Sequence, residues 1–105
     1  MISKEDIILK IKEIKPIYEQ EGLVLLGLFG SYAKNEANEN SDIDLLYKIN
    51  TELFMKTHKG FTGFSRILDI KSELKDIFKK NIDLCTINGN SKTFKEFALK
   101  EAIYV

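Results

Sequence analysis

Leu23-Val24-Leu25-Leu26-Gly27-Leu28-Phe29 is a short, unbroken apolar run closed by Gly22 on one side and Gly30-Ser31 on the other. It is too short to span a bilayer, and it lacks the polar alternation of a strand with one wet face. It reads as a strand buried on both faces, and such a strand needs neighbouring strands and covering helices.

The flanking sequence supplies both. Ser3 followed by Asp6 resembles a capping box with the shorter acid in third place. Ile7, Ile8, Ile11, Ile14, Ile17 and Tyr18 then recur at helical spacing. Pro16 lies late in this helix and removes a backbone donor, so a kink or a restarted last turn is expected there; Gly22 is the expected stop. A second strand is expected over 42–48 and a long helix over 65–80, with Ile67, Leu68, Leu74, Ile77 and Phe78 inward. A third strand follows over 82–87, then a closing helix over 91–103 with Phe94, Phe97 and Ala98 inward. Alternation of this kind indicates α/β (α+β) architecture, a small mixed β-sheet packed with helices. No repeat or linker interrupts it, so residues 1–105 are expected to form a single domain.

Composition narrows the function. The chain has 105 residues, 44% of them hydrophobic and 30% charged, which excludes a disordered chain. Sixteen basic and sixteen acidic residues cancel to a net charge of zero. That argues against bulk nucleic-acid binding through phosphate attraction, but not against one nucleotide held through metal ions. The single cysteine, Cys85, has no internal disulfide partner and is expected as a buried core thiol. The N-terminus becomes charged at once, and no apolar stretch reaches the roughly 20 residues of a membrane span. A cytoplasmic protein is expected.

Asp42-Ile43-Asp44 is the most informative tripeptide. On a strand, residues two apart share a face and lie about 6.6–6.8 Å apart along the chain. Two like charges there repel, and aspartate is a poor strand former. A divalent cation would compensate, and hard oxygen ligands suit magnesium or manganese. Asp83, flanked by Ile82 and Leu84, joins the cluster if its strand pairs with that of Asp42 and Asp44. Three carboxylates can hold two metal ions about 3.5–4 Å apart, an arrangement that clamps both oxygens of a phosphoryl transfer. The alternative for any single aspartate is a cap or a solvated turn. Gly30-Ser31, at the end of the buried strand, adds a close backbone approach and N–H and hydroxyl donors suited to phosphate, although a plain N-cap has the same local sequence.

The spacing joins these pieces: ten residues separate Gly30-Ser31 from Asp42-x-Asp44. With it the chain resembles the minimal nucleotidyltransferases of the DNA polymerase β-like superfamily. The resemblance rests on Phe29-Gly30-Ser31-Tyr32-Ala33-Lys34-Asn35-Glu36-Ala37, Ser41-Asp42-Ile43-Asp44-Leu45-Leu46 and Ile82-Asp83-Leu84. It implies the nucleotidyltransferase fold and transfer of a nucleoside monophosphate, AMP from ATP above all, to a hydroxyl acceptor. It further implies that Asp42 and Asp44 bind Mg2+ ions, two in number, with Mn2+ as the substitute. Asp83 would share a metal and act as general base, and Gly30 and Ser31 would hold the triphosphate. Lys34 stands where the family commonly has arginine; lysine keeps the charge but loses the planar fork, so phosphate contact and a solvated surface role both stay open for it. Glu36 fits the pattern without an assigned role.

Short members of this family accompany small helical HEPN-domain toxins as antitoxins, some by adenylylating the toxin. The resemblance thus implies a HEPN-domain partner, with a tyrosine as acceptor and a homo- or hetero-oligomer as the assembly. The alternatives are a non-catalytic antitoxin that neutralises its partner by contact, and a transferase acting on a small molecule such as an aminoglycoside. Segment 53–64, rich in aromatics, is expected either to cap the core or to meet a base or partner. His58 within it is expected as an exposed loop residue.

Overall fold

The computed structural model describes residues 2–58, 61–87 and 92–105; the side chains at 61–64, 94, 95 and 97–99 fall outside the described residues, and with them the expected inward placement of Phe94, Phe97 and Ala98. Helix α1 spans Lys4–Glu19, with the Ser3 hydroxyl accepting the Asp6 N–H at 3.0 Å and Glu5 and Asp6 in the first turn, where the helix dipole favours acids. It runs through Pro16 as one element rather than restarting there, and Gly22 closes the turn that follows. Ile7, Ile11, Ile14 and Tyr18 are buried, whereas Ile17 is 58% exposed and falls off the expected stripe.

Strand β1 (Leu23–Phe29) pairs antiparallel with β2 (Ile43–Ile49), and the register shifts between Leu25 and Gly27. The extra residue puts Leu25 and Leu28, three apart, on one face with Leu23, all three buried. The opposite face is only partly covered at Val24, Leu26 and Phe29, so the burial on both faces expected for β1 holds more fully for β2. There Ile43, Leu45 and Tyr47 face the core and Leu46 is buried on the other side. Strand β3 (Ile82–Thr86) joins β2 in parallel, and the sheet order is β3-β2-β1-β4.

The fourth strand corrects the expected helical ending. Helix α5 stops at Glu101, and β4 (Ile103–Tyr104) pairs with β1. Gly27 permits this: a Cβ there would run into the Ile103 carbonyl oxygen. The Val105 N–H donates to the Leu26 carbonyl at 2.9 Å, and the Lys15 ammonium donates to the Val105 carbonyl at 2.6 Å.

Between β2 and β3 lie two helices where one was expected. Helix α3 (Thr51–Thr57) is capped by Asn50, whose side chain accepts the Leu53 N–H, and it buries Phe54; the rest of the expected aromatic segment, Phe61 and Phe64, has its side chains outside the described residues. Helix α4 (Phe61–Phe78) buries Ile70, Leu74 and Phe78. Leu68 is 54% exposed and Ile77 38% exposed, which corrects their inward assignment. At 3.6 residues per turn Leu68 lies about half a turn away from Ile70, on the opposite side of the helix, and Ile77 sits at the margin of the buried stripe.

His58 is also corrected. Its side chain is only 16% exposed, and its Nε2 lies 2.9 Å from Glu21 Oε1. Arg66 grips the same Glu21 carboxylate through Nε at 2.6 Å and Nη2 at 2.8 Å, and donates from Nη1 to Glu73 at 2.6 Å. The Tyr18 hydroxyl completes the network by donating to Glu73 at 2.9 Å. The Arg66 hydrogen bonds hold the Glu21 carboxyl below the usual carboxylate range. The network ties the end of α1 to α3 and α4.

Candidate active site

The parallel register of β2 and β3 sets Asp44 directly beside Asp83. Asp42 stands just before β2 and shares that end of the sheet. On the other flank, antiparallel pairing brings Phe29, the last residue of β1, opposite Asp44, so the chain turns at Gly30 against the Asp44 carboxylate. Gly30 has φ +75°, and a Cβ there would overlap Asp44 Oδ2. Only glycine meets both demands without strain. The Gly30 turn, Asp44 and Asp83 therefore lie side by side across three strands.

Helix α2 (Gly30–Ala33) carries Ser31, half-buried, and ends at Lys34, whose side chain is exposed. The loop back to β2 is held by local bonds. Ser41 Oγ accepts the Asn38 N–H at 2.9 Å, and Asn38 Oδ1 accepts the Asn40 N–H at 2.8 Å. The Ile43 N–H donates to the Asn81 carbonyl at 3.0 Å, which ties the approach to β2 to the approach to β3. Lys80 Nζ donates to the Glu39 carbonyl at 2.9 Å.

Asp44 is half-buried, and Asp42 and Asp83 are exposed. The Asp44 pKa is pushed up from 3.8 to about 6, first by burial, then by the Asp83 charge and hydrogen bonding with Asp83, and last by Asp42. Both other acids thus bear on Asp44, the most enclosed of the three. Cys85, two residues beyond Asp83, is half-buried rather than a core thiol, and burial followed by the Asp44 and Asp83 charges raises its pKa.

Among the described residues no three acids, thiols or imidazoles stand preassembled as a metal cage. The donor set nevertheless fits a hard divalent cation: two carboxylates within hydrogen-bonding reach, a third at the same sheet end, and an Asp44 carboxyl raised by burial and by its two acidic neighbours, which a cation would relieve.

Sequence reasoning missed the wall beside these acids. A groove of about 390 Å³ is lined by Asp42 and Asp83 on the sheet side and by Leu68, Lys71, Ser72 and Lys75 on α4. Their spacing in α4 was the available signal, since i, i+3, i+4 and i+7 share one helix face.

The geometry has relatives. The chain belongs to the polymerase β nucleotidyltransferase family, whose profile matches residues 12–105. A Methanocaldococcus jannaschii protein, named for an inferred protein adenylyltransferase activity, is 34% identical over 101 residues, spanning 92% of this chain and 99% of its own length. The protein adenylyltransferase MntA of Thermococcus cleftensis is 24% identical over 91 residues, or 87% of this chain and 83% of that protein. Among solved structures, one assigned as a minimal nucleotidyltransferase superposes with a TM-score of 0.75 at 24% identity, covering 99% of this chain and 97% of that one. A toxin–antitoxin crystal structure with AMP-PNP gives 0.62 at 19% identity, covering 98% and 72%. Both share the fold of this chain. No helix among the described residues is long and apolar enough to cross a membrane.

Proposed function

We propose that this chain transfers AMP from ATP to a hydroxyl on a partner protein, with Asp42, Asp44 and Asp83 as the acids of the reaction. The observation that carries the reading is the in-register pairing of Asp44 with Asp83 against the Gly30 turn. Support for a protein acceptor comes from the two relatives named as protein adenylyltransferases. A small helical HEPN-domain toxin is the proposed partner and a tyrosine the proposed acceptor.

In this reading Gly30 and Ser31 hold the triphosphate, Lys34 contributes charge at its outer end, and Asp42 and Asp44 hold magnesium with Asp83. Divalent cations, when bound, neutralise the acids and polarise the phosphoryl oxygens. Asp83, the exposed acid on the far side of Asp44 from Gly30, takes the proton of the acceptor hydroxyl. The acceptor oxygen bonds to the α-phosphorus, the bond from that phosphorus to the bridging oxygen breaks, and pyrophosphate leaves with the electron pair. A homo- or hetero-oligomer is the proposed assembly.

The test is intact-mass spectrometry of the chain mixed with the helical protein encoded beside it, ATP and magnesium. The expected result is one added AMP mass per modified hydroxyl on the partner, absent with Asp44→Asn. Neutralisation of the partner by Asp44→Asn with no mass change would instead make the chain a contact antitoxin.

A further inference from the structure

The α4 wall of the groove holds two lysines that the transfer scheme above does not use. Lys71 and Lys75 line the same groove as Asp42 and Asp83, and Lys75 also lines the adjoining hollow, which reaches Asp76 and Lys79. Neither forms an ion pair with any described residue. Lys10 pairs with Glu13 and Lys56 with Glu52, and Lys15 and Lys80 donate to carbonyls, whereas Lys71 and Lys75 share their groove with two acids. Two ammonium groups thus stand one helical turn apart, beside acids they do not neutralise.

Their position decides which ligand they face. Across the sheet end the order is the Gly30 turn on β1, Asp44 on β2, Asp83 on β3, then the α4 wall. Gly30 and Ser31 are absent from the lining of the groove, so the lysines lie on the side of Asp83 away from the triphosphate turn. Whatever enters there meets Asp83 together with Asp42. Leu68, 54% exposed, gives the same wall an apolar patch. A ligand with negative charge and an apolar part, its reacting group directed at Asp83, satisfies the groove.

We propose that the groove between α4 and the starts of β2 and β3 docks an acidic segment of the protein acceptor. Lys71 and Lys75 pair with carboxylates flanking the acceptor residue, and Leu68 takes up part of that residue's apolar body. This rests on the transferase reading. A nucleic acid fits less well, because Glu39, Asp42, Asp76 and Asp83 line the two hollows and would repel a continuous run of phosphates. A short acidic segment places its few charges at the lysines and presents a neutral hydroxyl to Asp83.

The experiment uses the full chain with magnesium and a non-hydrolysable ATP analogue. Fluorescence anisotropy measures binding of three labelled peptides that share one tyrosine, flanked by glutamates, by alanines or by lysines. A single-stranded RNA oligomer serves as the fourth probe. AMP transfer from ATP to each peptide is followed in parallel. The expected preference for the glutamate peptide over the lysine peptide is about tenfold, weakening as salt is raised. The double variant K71E/K75E should reverse that preference and keep ATP affinity within about twofold. K12E, an exposed position on α1, should change nothing. Equal binding of the three peptides overturns the proposal, as does tighter binding of RNA. A loss of ATP affinity in K71E/K75E also overturns it, and assigns the lysines to the triphosphate. Binding of the glutamate peptide without AMP transfer would leave the docking groove standing and remove the transferase reading. Transfer without preference would do the reverse.

Discussion

Two groups of charged side chains sit in this small protein, and they are built on opposite plans. At the start of β2 and β3, Asp42, Asp44 and Asp83 gather like charges, and burial together with those charges raises the Asp44 pKa to about 6. Where α1, α3 and α4 meet, Glu21, Arg66, Glu73, His58 and Tyr18 satisfy one another at 2.6–2.9 Å. There the Glu21 carboxyl is held low, because its strongest neighbour is a guanidinium. A carboxylate that has found its cation within the protein serves the fold. One left among other carboxylates is set up for a cation from outside.

The sharpest way to break this comparison is Asp83→Asn. A paired structural acid would show its loss in stability, whereas Asp83 should show it in rate. We expect transfer to fall about 100- to 10,000-fold while ATP affinity changes little. Single-turnover kinetics beside calorimetry read the two quantities separately. Equal losses in both would make Asp83 a plain metal ligand.

Arg66→Ala attacks the other plan. Glu21 and Glu73 lose their shared guanidinium, with Glu21 and Arg66 side chains only 19% and 23% exposed. Partial exposure discounts the cost of a fully buried pair, so the expected loss is about 2 kcal/mol, measured by urea denaturation. ATP affinity should stay within about twofold. A variant as stable as the parent would show that the network contributes nothing to the fold.

The smallest effect is on the pH dependence of the metal-free protein, where the two regions slope in opposite directions. The Asp44 pKa is raised on folding, so its favourable contribution is complete below about pH 4 and is lost as pH climbs to about 6. Glu21 is lowered, so its contribution is present near neutrality and is lost as pH falls below the usual carboxylate range. In EDTA at pH 7, Asp44→Asn should melt roughly 2–5 °C above the parent, and the gap should close toward pH 4. Thermal melts followed by circular dichroism across that range decide it. A gap that does not vary with pH would show that Asp44 carries no titration strain.

The strand core and the acids were legible because period two and short apolar runs leave few readings. The pattern from Leu23 to Phe29 admits one use, and Asp42-x-Asp44 shares a face on any strand. The α4 face was not legible. Leu68 and Ile77 are as hydrophobic as Ile70, and a helix with apolar residues on several sides does not state which stripe is buried until its partners are in place. An apolar Leu68 beside Lys71 and Lys75 makes a polar groove wall look like part of a core stripe in sequence. The burial of His58 is equally hidden in sequence, because Glu21 lies 37 positions away and no local pattern announces the contact. The last strand escaped because its cause is also remote, the missing side chain at Gly27.

The parallel register that sets Asp44 against Asp83 makes the distance between these acids a stepwise quantity. Strands slide only by whole residues, and a slip of one turns the side chain to the other face of the sheet. While the ladder stays intact the backbone spacing is fixed, and packing moves the two carboxylates only through their side-chain torsions. Within one backbone, the remaining fine adjustment is the rotamer of each side chain and its length, aspartate or glutamate. The sheet therefore serves as a graduated ruler for the chemistry at Asp44 and Asp83, and the short acid at both positions keeps each carboxylate close to its mark.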